Sequence, residues 1–184
     1  QQLLATDHAQ PPEARAQCYQ ALILGLRDYV EKNAFRKVLL GFSGGIDSAL
    51  TLALAVDALG SARVQAVLLP SRYTSVLSHE AALAQLKNLG LKPLKISIEG
   101  AFQAFLASLA EEAGIMKTKN LTQQNLQARC RGVLLMALAN QEEALLLNTS
   151  NKSEIAVGYG TLYGDLCGGY AVLKDVWKTE VYAL

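Results

Sequence analysis

Apolar and polar positions along the chain follow two different periods, which separate predicted strands from predicted helices. Short, mostly apolar runs that end in turn residues are typical of strands buried in a parallel sheet. Runs of this kind lie at residues 37–43, 63–69, 92–98 and 144–150. The pattern therefore predicts four buried strands spread over most of the chain.

Helical periodicity fills the sequence between these runs. Helices are predicted over residues 13–34, 46–60, 78–90, 99–114 and 120–143. Gly60 and Gly90 are suited to end two of them, and Ser78 is suited to be the N-cap of a third. Beyond residue 150 glycines and tyrosines are frequent, and no clear period continues until the amphipathic pattern of the last residues.

Strands that alternate with helices in this way predict an α/β fold with a parallel sheet and helices on both faces. In such sheets, ligands bind in the crevice at the carboxyl ends of the strands. We therefore expect the turns after residues 37–43, 63–69 and 144–148 to converge on one crevice.

Composition narrows the classes of partner. The chain has 184 residues, of which 51% are hydrophobic and 18% charged, and its net charge is +1. This balance gives no electrostatic reason to expect a nucleic acid or an anionic membrane as partner. No apolar run approaches the roughly 20 residues that span a bilayer. Any bound anion must therefore be held by a local site.

The cysteines and the chain ends carry two further expectations. Cys18, Cys130 and Cys167 are far apart, without metal-ligand spacing, so we expect reduced, structural thiols in a cytoplasmic protein. The chain begins with Gln1 and ends inside the helical pattern of residues 178–184. We therefore expect it to be a piece of a longer polypeptide.

Candidate chemistry begins at residues 43–48, which read Ser-Gly-Gly-Ile-Asp-Ser between a predicted strand and a predicted helix. Gly44 and Gly45 allow a ligand to approach the backbone, and the helix start offers unpaired N–H groups. With the hydroxyls of Ser43 and Ser48, these groups would make a pocket for phosphate oxygens. The alternative is an ordinary strand–turn–helix connection.

Asp47 distinguishes this loop from two better-known phosphate loops. The Walker pattern requires a lysine that is absent here, and the glycine spacing does not fit the dinucleotide fingerprint. A carboxylate beside phosphate would be repulsive unless a cation lay between them. Asp47 is therefore interpreted as a ligand of Mg²⁺, with a helix-start acid as the alternative.

The loop at residues 43–48 resembles the pyrophosphate-binding loop of the N-type ATP pyrophosphatases, which include GMP, asparagine, argininosuccinate and NAD synthetases. Residues 145–165 and 168–179 closely resemble NAD synthetases, and residues 69–75 match the loop after their second strand. The resemblance covers residues 13–184 and is strongest to the synthetase part of the glutamine-dependent enzymes. It implies a Rossmann-like fold of the adenine nucleotide alpha hydrolase type.

The resemblance also implies a domain organisation. Residues 1–12 would be a tail or linker after an upstream glutaminase domain, and residues 13–184 would be an ATP-pyrophosphatase domain that is incomplete at its C-terminus. One departure from the family pattern is Ser150, where glycine is usual. Family members assemble as homodimers or larger homo-oligomers, so the same is expected here.

Residue roles follow by position in the matching motifs. The implied ATP-binding residues are Gly41, Phe42, Ser43, Gly44, Gly45, Ile46, Asp47, Ser48, Leu69, Thr149 and Lys174. Among these, Asp47, Lys174 and Ser43 are the implied catalytic residues. The implied deamido-NAD-binding residues are Asn125, Arg129, Glu154, Tyr159 and Asp165, and the implied Mg²⁺ ligands are Asp47 and Glu154.

Each of these roles has a plainer alternative. Glu154 would equally suit the start of a helix, and Arg129 the solvated surface of one. Asp165 and Lys174 would otherwise be surface charges. Tyr159 and Tyr163 are suited to stack on the pyridine ring or to pack in the core. Arg72 and Tyr73 would line the adenine side or belong to a surface loop.

The resemblance implies ATP-dependent amidation of deamido-NAD to NAD. The nicotinate carboxylate would be adenylated with release of pyrophosphate, and ammonia, supplied as such or from glutamine, would then displace AMP. ATP and Mg²⁺ are the implied cofactors. The alternatives are another amidotransferase of the superfamily, such as GMP synthetase, a tRNA-modifying ligase, or a nucleotide-binding module without turnover.

Overall fold

The computed structural model describes residues 13–70, 76–114 and 120–184. Arg72 and Tyr73, and the tail at residues 1–12, lie outside the described residues. Five parallel strands form one sheet in the order β3-β2-β1-β4-β5. They are β1 Val38–Gly41, β2 Val64–Leu68, β3 Leu94–Lys95, β4 Leu145–Asn148 and β5 Tyr170–Ala171.

Seven α-helices are described, together with a 3₁₀ turn at Ser61–Arg63 that leads into β2. They are α1 Ala14–Lys32, α2 Ile46–Leu59, α3 Val76–Asn88, α4 Glu99–Glu111, α5 Asn120–Gln141, α6 Lys152–Val157 and α7 Lys178–Val181. None of the described helices is both long and apolar enough to cross a membrane.

Side chains that alternate along the strands pack on opposite faces of the sheet. In β1, Val38 and Leu40 join the core formed with α1, α2 and α3, whereas Leu39 joins the core formed with α5. A third cluster places α4 against α5 through Phe102 and Cys130. Helices therefore cover both faces, and the predicted α/β fold is confirmed.

The strands are shorter than the apolar runs that predicted them. The run at 92–98 contributes only Leu94–Lys95, at a sheet edge where both residues are exposed. Strand β5 was not predicted, because its two residues are defined by pairing with β4 and have no pattern of their own. Ser78 lies inside α3, which begins at Val76, so its prediction as the N-cap was wrong.

Candidate functional site

The connection between β1 and α2 is organised by hydrogen bonds among its own residues. The Gly45 N–H donates to Ser43 Oγ at 3.2 Å, and Ser48 Oγ donates to the Gly45 carbonyl at 2.9 Å. The two serine hydroxyls lie 3.1 Å apart. Gly44 has a φ of +80°, which favours glycine. Gly45 is the N-cap of α2, so the first N–H groups of that helix, without intrahelical partners, point out of the loop.

Asp47 lies in the first turn of α2 and is held by two groups from the end of the chain. Its Oδ1 accepts a hydrogen bond from Asn151 Nδ2 at 2.9 Å, and its Oδ2 forms an ion pair with Lys178 Nζ. The Asp47 side chain is 18% exposed and that of Lys178 34% exposed. The carboxylate therefore stands at the edge of the loop with a cation beside it.

Asn151 also joins Asp47 to Glu154. It is fully buried and is the N-cap of α6, where its Oδ1 accepts a hydrogen bond from the Glu154 N–H at 3.0 Å. Glu154 Oε2 in turn accepts from the Asn151 N–H at 3.2 Å, which completes a capping box. The two predicted metal ligands thus both contact Asn151, Asp47 through its side-chain amide and Glu154 through its backbone N–H. Glu154 is also the helix-start acid of the plainer alternative.

The donor set fits a Mg²⁺ ion that is shared with a phosphate. Two carboxylates supply hard oxygen ligands, and Mg²⁺ is commonly bound by one or two carboxylates together with substrate phosphates. Among the described residues, no group of three or more His, Cys, Asp or Glu side chains could hold a metal by itself. Asp47 and Glu154 would therefore hold the ion together with oxygens from water and a bound phosphate.

Lys174, the predicted catalytic lysine, is not brought to this cluster. It lies in the connection after β5, where its ammonium is 3.3 Å from Asp175 and its side chain is 60% exposed. Lys178, four residues later at the start of α7, forms an ion pair with Asp47 instead. The sequence pointed to a lysine in this segment, but the choice between the two depends on how α7 meets α2.

A cavity of about 700 Å³ lies over the carboxyl ends of β1, β2 and β4. The turns after these three strands all line it, so their predicted convergence is confirmed. From the β1 and β2 sides the predicted residues in its wall are Gly41, Phe42, Ser43 and Leu69. From the other side they are Asn125, Thr149, Tyr159 and Asp165.

Residues 158–167 form the far wall of the cavity and are tied to α5. Thr161 is central: its N–H donates to Asp165 Oδ1 at 2.8 Å, and its hydroxyl donates to Asn125 Oδ1 at 3.0 Å. A Cβ on Gly132 of α5 would lie 2.6 Å from the Tyr163 carbonyl oxygen. This wall is therefore seated by close backbone contact with the helix.

Three predicted residues in this region are exposed. Arg129 projects from α5 and its Nε donates to the Leu162 carbonyl at 3.2 Å, outside the lining of the cavity. Tyr159 and Tyr163 are 76% and 82% exposed, so neither packs in the core. Tyr159 borders the cavity, whereas Tyr163, with a φ of +64°, does not.

Sequence reasoning missed three polar residues of the site, which are Lys178, Asn151 and Arg131. The Asn-x-x-Glu spacing of the capping box could have identified Asn151. Arg131 lines the cavity, and its Nε lies 3.4 Å from the Leu69 carbonyl oxygen. Nothing in the sequence around Arg131 separates it from Arg129, because only the packing of α5 decides which arginine faces the sheet.

Known proteins with similar sequences are NAD synthetases. The family model described as NAD synthase matches residues 18–184. A glutamine-dependent NAD(+) synthetase of Xanthomonas campestris pv. campestris is 56% identical over 169 residues, which are 92% of this chain and 30% of that protein. One from Thermotoga maritima is 49% identical over 175 residues, again 30% of its length. The chain thus spans about a third of the length of these curated relatives.

Solved structures agree with the family match. Glutamine-dependent NAD+ synthetase from Acinetobacter baumannii, in complex with ADP, has a TM-score of 0.92 and 49% identity, covering 97% of this chain and 34% of that one. NH3-dependent NAD synthetase from Campylobacter jejuni, in complex with nitrate, has a TM-score of 0.84 and 31% identity, covering 94% and 72%. With a family model that matches nearly all of its described residues, the chain belongs to the NAD synthase family.

Proposed function

We propose that the natural protein amidates deamido-NAD to NAD at the expense of ATP, and that this chain carries the adenylating site. The observation that supports this best is the cavity that reaches from Gly41, Phe42 and Ser43, at the start of the glycine loop (residues 41–48), to the wall at residues 158–167. One side of that cavity presents groups suited to phosphate. The other presents amide, carboxylate and aromatic groups suited to a larger polar substrate.

The reaction has two steps. A carboxylate oxygen of the nicotinate attacks the α-phosphorus of ATP, the bond to pyrophosphate breaks, and the acyl adenylate forms. Ammonia then attacks the acyl carbon, the bond to AMP breaks, and a proton is lost as the carboxamide forms. Neither step needs strong acid–base groups, so positioning and charge neutralisation account for the rate.

The glycine loop would bind the phosphates that leave. The first N–H groups of α2 have no side-chain cap and no intrahelical partner, and the dipole of that helix lies behind them. Ser43 and Ser48 add hydroxyls, and Thr149 would approach ATP from the end of β4. Asp47 and Glu154 would hold Mg²⁺, which when bound neutralises phosphate charge.

A cationic side chain is still needed at the phosphates. Lys174 and Lys178 are the two candidates for that role. Lys178 lies at Asp47, beside the loop, and is favoured by its position. Lys174 would have to leave Asp175 and turn toward the cavity. We therefore assign the phosphate-binding role to Lys178 and keep Lys174 as the alternative that a pair of variants decides.

The second substrate would lie against the wall at residues 158–167. Asn125 and Asp165 are already linked through Thr161, which fixes their polar groups at the rim of the cavity. Tyr159 is exposed beside them and is free to stack on a pyridine ring. Arg129 faces away from the cavity, so its proposed contact to deamido-NAD requires a substrate that extends over α5.

The remaining assignments concern the natural protein as a whole. An upstream glutaminase domain that supplies ammonia is supported by the length of the glutamine-dependent relatives, of which this chain spans 30%. Residues 1–12 would then be the linker and 13–184 the incomplete synthetase domain. A cytoplasmic homodimer or larger homo-oligomer completes the proposal.

Pyrophosphate release from the full-length protein tests the function. Release that requires ATP, Mg²⁺, deamido-NAD and ammonium together is the expected result. Nicotinic acid mononucleotide is an informative competitor, since NMN synthetase from Francisella tularensis is 30% identical with a TM-score of 0.83. Faster release with that mononucleotide, or with xanthosine monophosphate, would replace the proposed substrate, and tight ATP binding without any release would favour a binding module.

A further inference from the structure

Arg131 is a cation inside the cavity that the roles proposed above do not use. It lies on the face of α5 that turns toward the sheet, one turn before Leu135, and it is half-buried. Burial lowers the pKa of its guanidinium from the ordinary value, with Cys130 and Asp165 acting in the opposite direction. An arginine nonetheless stays charged at neutral pH. The cavity wall therefore carries a permanent positive charge.

The guanidinium stands at the start of the glycine loop. Its Nε is 3.4 Å from the carbonyl oxygen of Leu69, just after β2. A Cβ on Gly41 would lie 3.7 Å from Leu69 Cδ1 and 3.0 Å from Leu135 Cδ1. Leu69 and Leu135 thus flank the residue that begins the loop, and Arg131 contacts the Leu69 carbonyl and lines the same cavity as Gly41.

The opposite wall packs against α5 one turn before Arg131. Gly164 packs on α5 so tightly that a Cβ there would lie 2.9 Å from Ala128 Cβ. Ala128 is one turn before Arg131 on the same face of the helix. The arginine therefore lies between the wall that would bind phosphate and the wall that would bind the second substrate.

The charge of Arg131 is only partly offset by its surroundings, since Asp165 favours the charged form from beyond ion-pair distance. Within the described part of the chain, no Asp or Glu lies within ion-pair distance of Arg131. The bond to the Leu69 carbonyl is long and uses one of five N–H donors. A purely structural tie between α5 and β2 would not require a charged group, whose desolvation is costly.

We propose that Arg131 binds the α-phosphate of the nucleotide, the group that must meet the substrate carboxylate. This inference rests on the proposed function, because only an adenylating enzyme brings two anions together at this point. A fixed guanidinium there would reduce their repulsion and hold the α-phosphate through paired N–H donors. The glycine loop, Asp47 and Lys178 would then serve the departing pyrophosphate.

Binding of the two products AMP and pyrophosphate separates the role of Arg131 from that of the glycine loop without relying on turnover. Isothermal titration of the full-length protein with AMP and, separately, with pyrophosphate would be run in the presence of Mg²⁺. Arg131→Gln is expected to weaken AMP binding by about 10- to 100-fold and pyrophosphate binding by less than about 3-fold. Arg131→Lys keeps the charge but loses the planar set of paired N–H donors. It should therefore recover only part of the AMP affinity.

Arg27→Gln is the matched control, since it removes a guanidinium of α1 that donates to the Ala58 and Asp57 carbonyls and lies outside the lining of the cavity. Its AMP affinity should equal that of the wild type. Equal AMP affinity in Arg131→Gln, or equal losses for AMP and pyrophosphate, would overturn the inference. If Arg131→Gln does not fold, an Arg131→Lys protein that melts normally and binds AMP as the wild type does would overturn it too.

Failure of the inference and failure of the proposed function give different results. A wild type that releases pyrophosphate with deamido-NAD, together with unchanged AMP binding in Arg131→Gln, would leave the function standing and remove Arg131 from it. If Arg131→Gln selectively loses AMP binding but the wild type does not use deamido-NAD, the α-phosphate role of Arg131 is supported and deamido-NAD is excluded as the substrate.

Discussion

The two walls of the cavity are built in different ways. The glycine loop at residues 41–48 takes its shape from hydrogen bonds within a few residues of sequence, among Ser43, Gly45 and Ser48, while distant residues hold Asp47 at its edge. The wall at residues 158–167 is held by partners more than 30 residues away, such as Asn125 for Thr161 and Gly132 for Gly164. A local site can be read from spacing, whereas a site made by distant contacts requires the fold.

This difference explains what the sequence could predict. Strands β1, β2 and β4 and helices α2 and α5 were predicted because each has its own apolar pattern and turn signals. The prediction that the glycine loop binds phosphate followed from residue types alone. The wall at residues 158–167 was indicated only by resemblance to a family, since its glycines and tyrosines show no period.

The missed residues follow the same rule. Lys178 and Arg131 have neighbours of the same type, Lys174 and Arg129, within four positions. Which member of each pair faces the site depends on the docking of α7 against α2 and of α5 against the sheet. No local signal carries that information.

The largest effect is expected from removing the charge of Asp47, at the edge of the glycine loop. Asp47→Asn should reduce kcat/KM for ATP by about 100-fold, because the carboxylate can no longer hold a shared cation. The melting temperature should change little. Asp57→Asn, on the exposed side of the same helix, is the control and should keep normal kinetics. Normal turnover by Asp47→Asn would contradict the metal assignment.

A change in α5 should affect the wall at residues 158–167 without affecting the glycine loop. Gly132→Ala places a methyl group 2.6 Å from the Tyr163 carbonyl oxygen, so the segment must move, at a cost of about 1–3 kcal/mol. We expect a higher KM for deamido-NAD with unchanged pyrophosphate affinity, measured by steady-state kinetics and titration.

Gly100→Ala in α4 is the matched control. A Cβ there meets nothing within 4 Å, so the change should be neutral or stabilise by at most about 1 kcal/mol in thermal melts. If both alanine variants behaved alike, the close contact between α5 and residues 158–167 would not be what seats that wall.

Variants of Lys178 and Lys174 test which of the two lysines serves the glycine loop. Lys178→Met should lower kcat/KM for ATP by about tenfold, since a charged donor to phosphate is lost beside the loop. Lys174→Met should change it by less than about twofold, because its ammonium is exposed and paired with Asp175. The reverse order of effects would return the role to Lys174.

The smallest effect concerns the frame behind the glycine loop. Tyr19 of α1 donates to Asp57 Oδ2 of α2 at 2.7 Å, and burial, followed by Asp57, raises the pKa of Tyr19 from 10.0 to about 12. The folded state therefore holds this proton more tightly, so the contribution to stability is full below pH 10 and is lost as the pH rises toward 12.

Thermal melts across that range would measure this contribution. The difference in melting temperature between the wild type and Tyr19→Phe should shrink between pH 10 and 12, the two pKa limits of the tyrosine. A difference that stays constant with pH would show that the bond from α1 to α2 does not depend on the tyrosine proton.

Transfer of an oxygen atom tests the central claim most directly. With deamido-NAD labelled with ¹⁸O in its nicotinate carboxylate, the full-length protein should place one ¹⁸O in AMP and leave the other in the carboxamide. Mass spectrometry of AMP, pyrophosphate and inorganic phosphate would follow the label. Label in AMP alone among these three is the predicted result; label in pyrophosphate or inorganic phosphate, or in none of them, would contradict adenylation at this cavity.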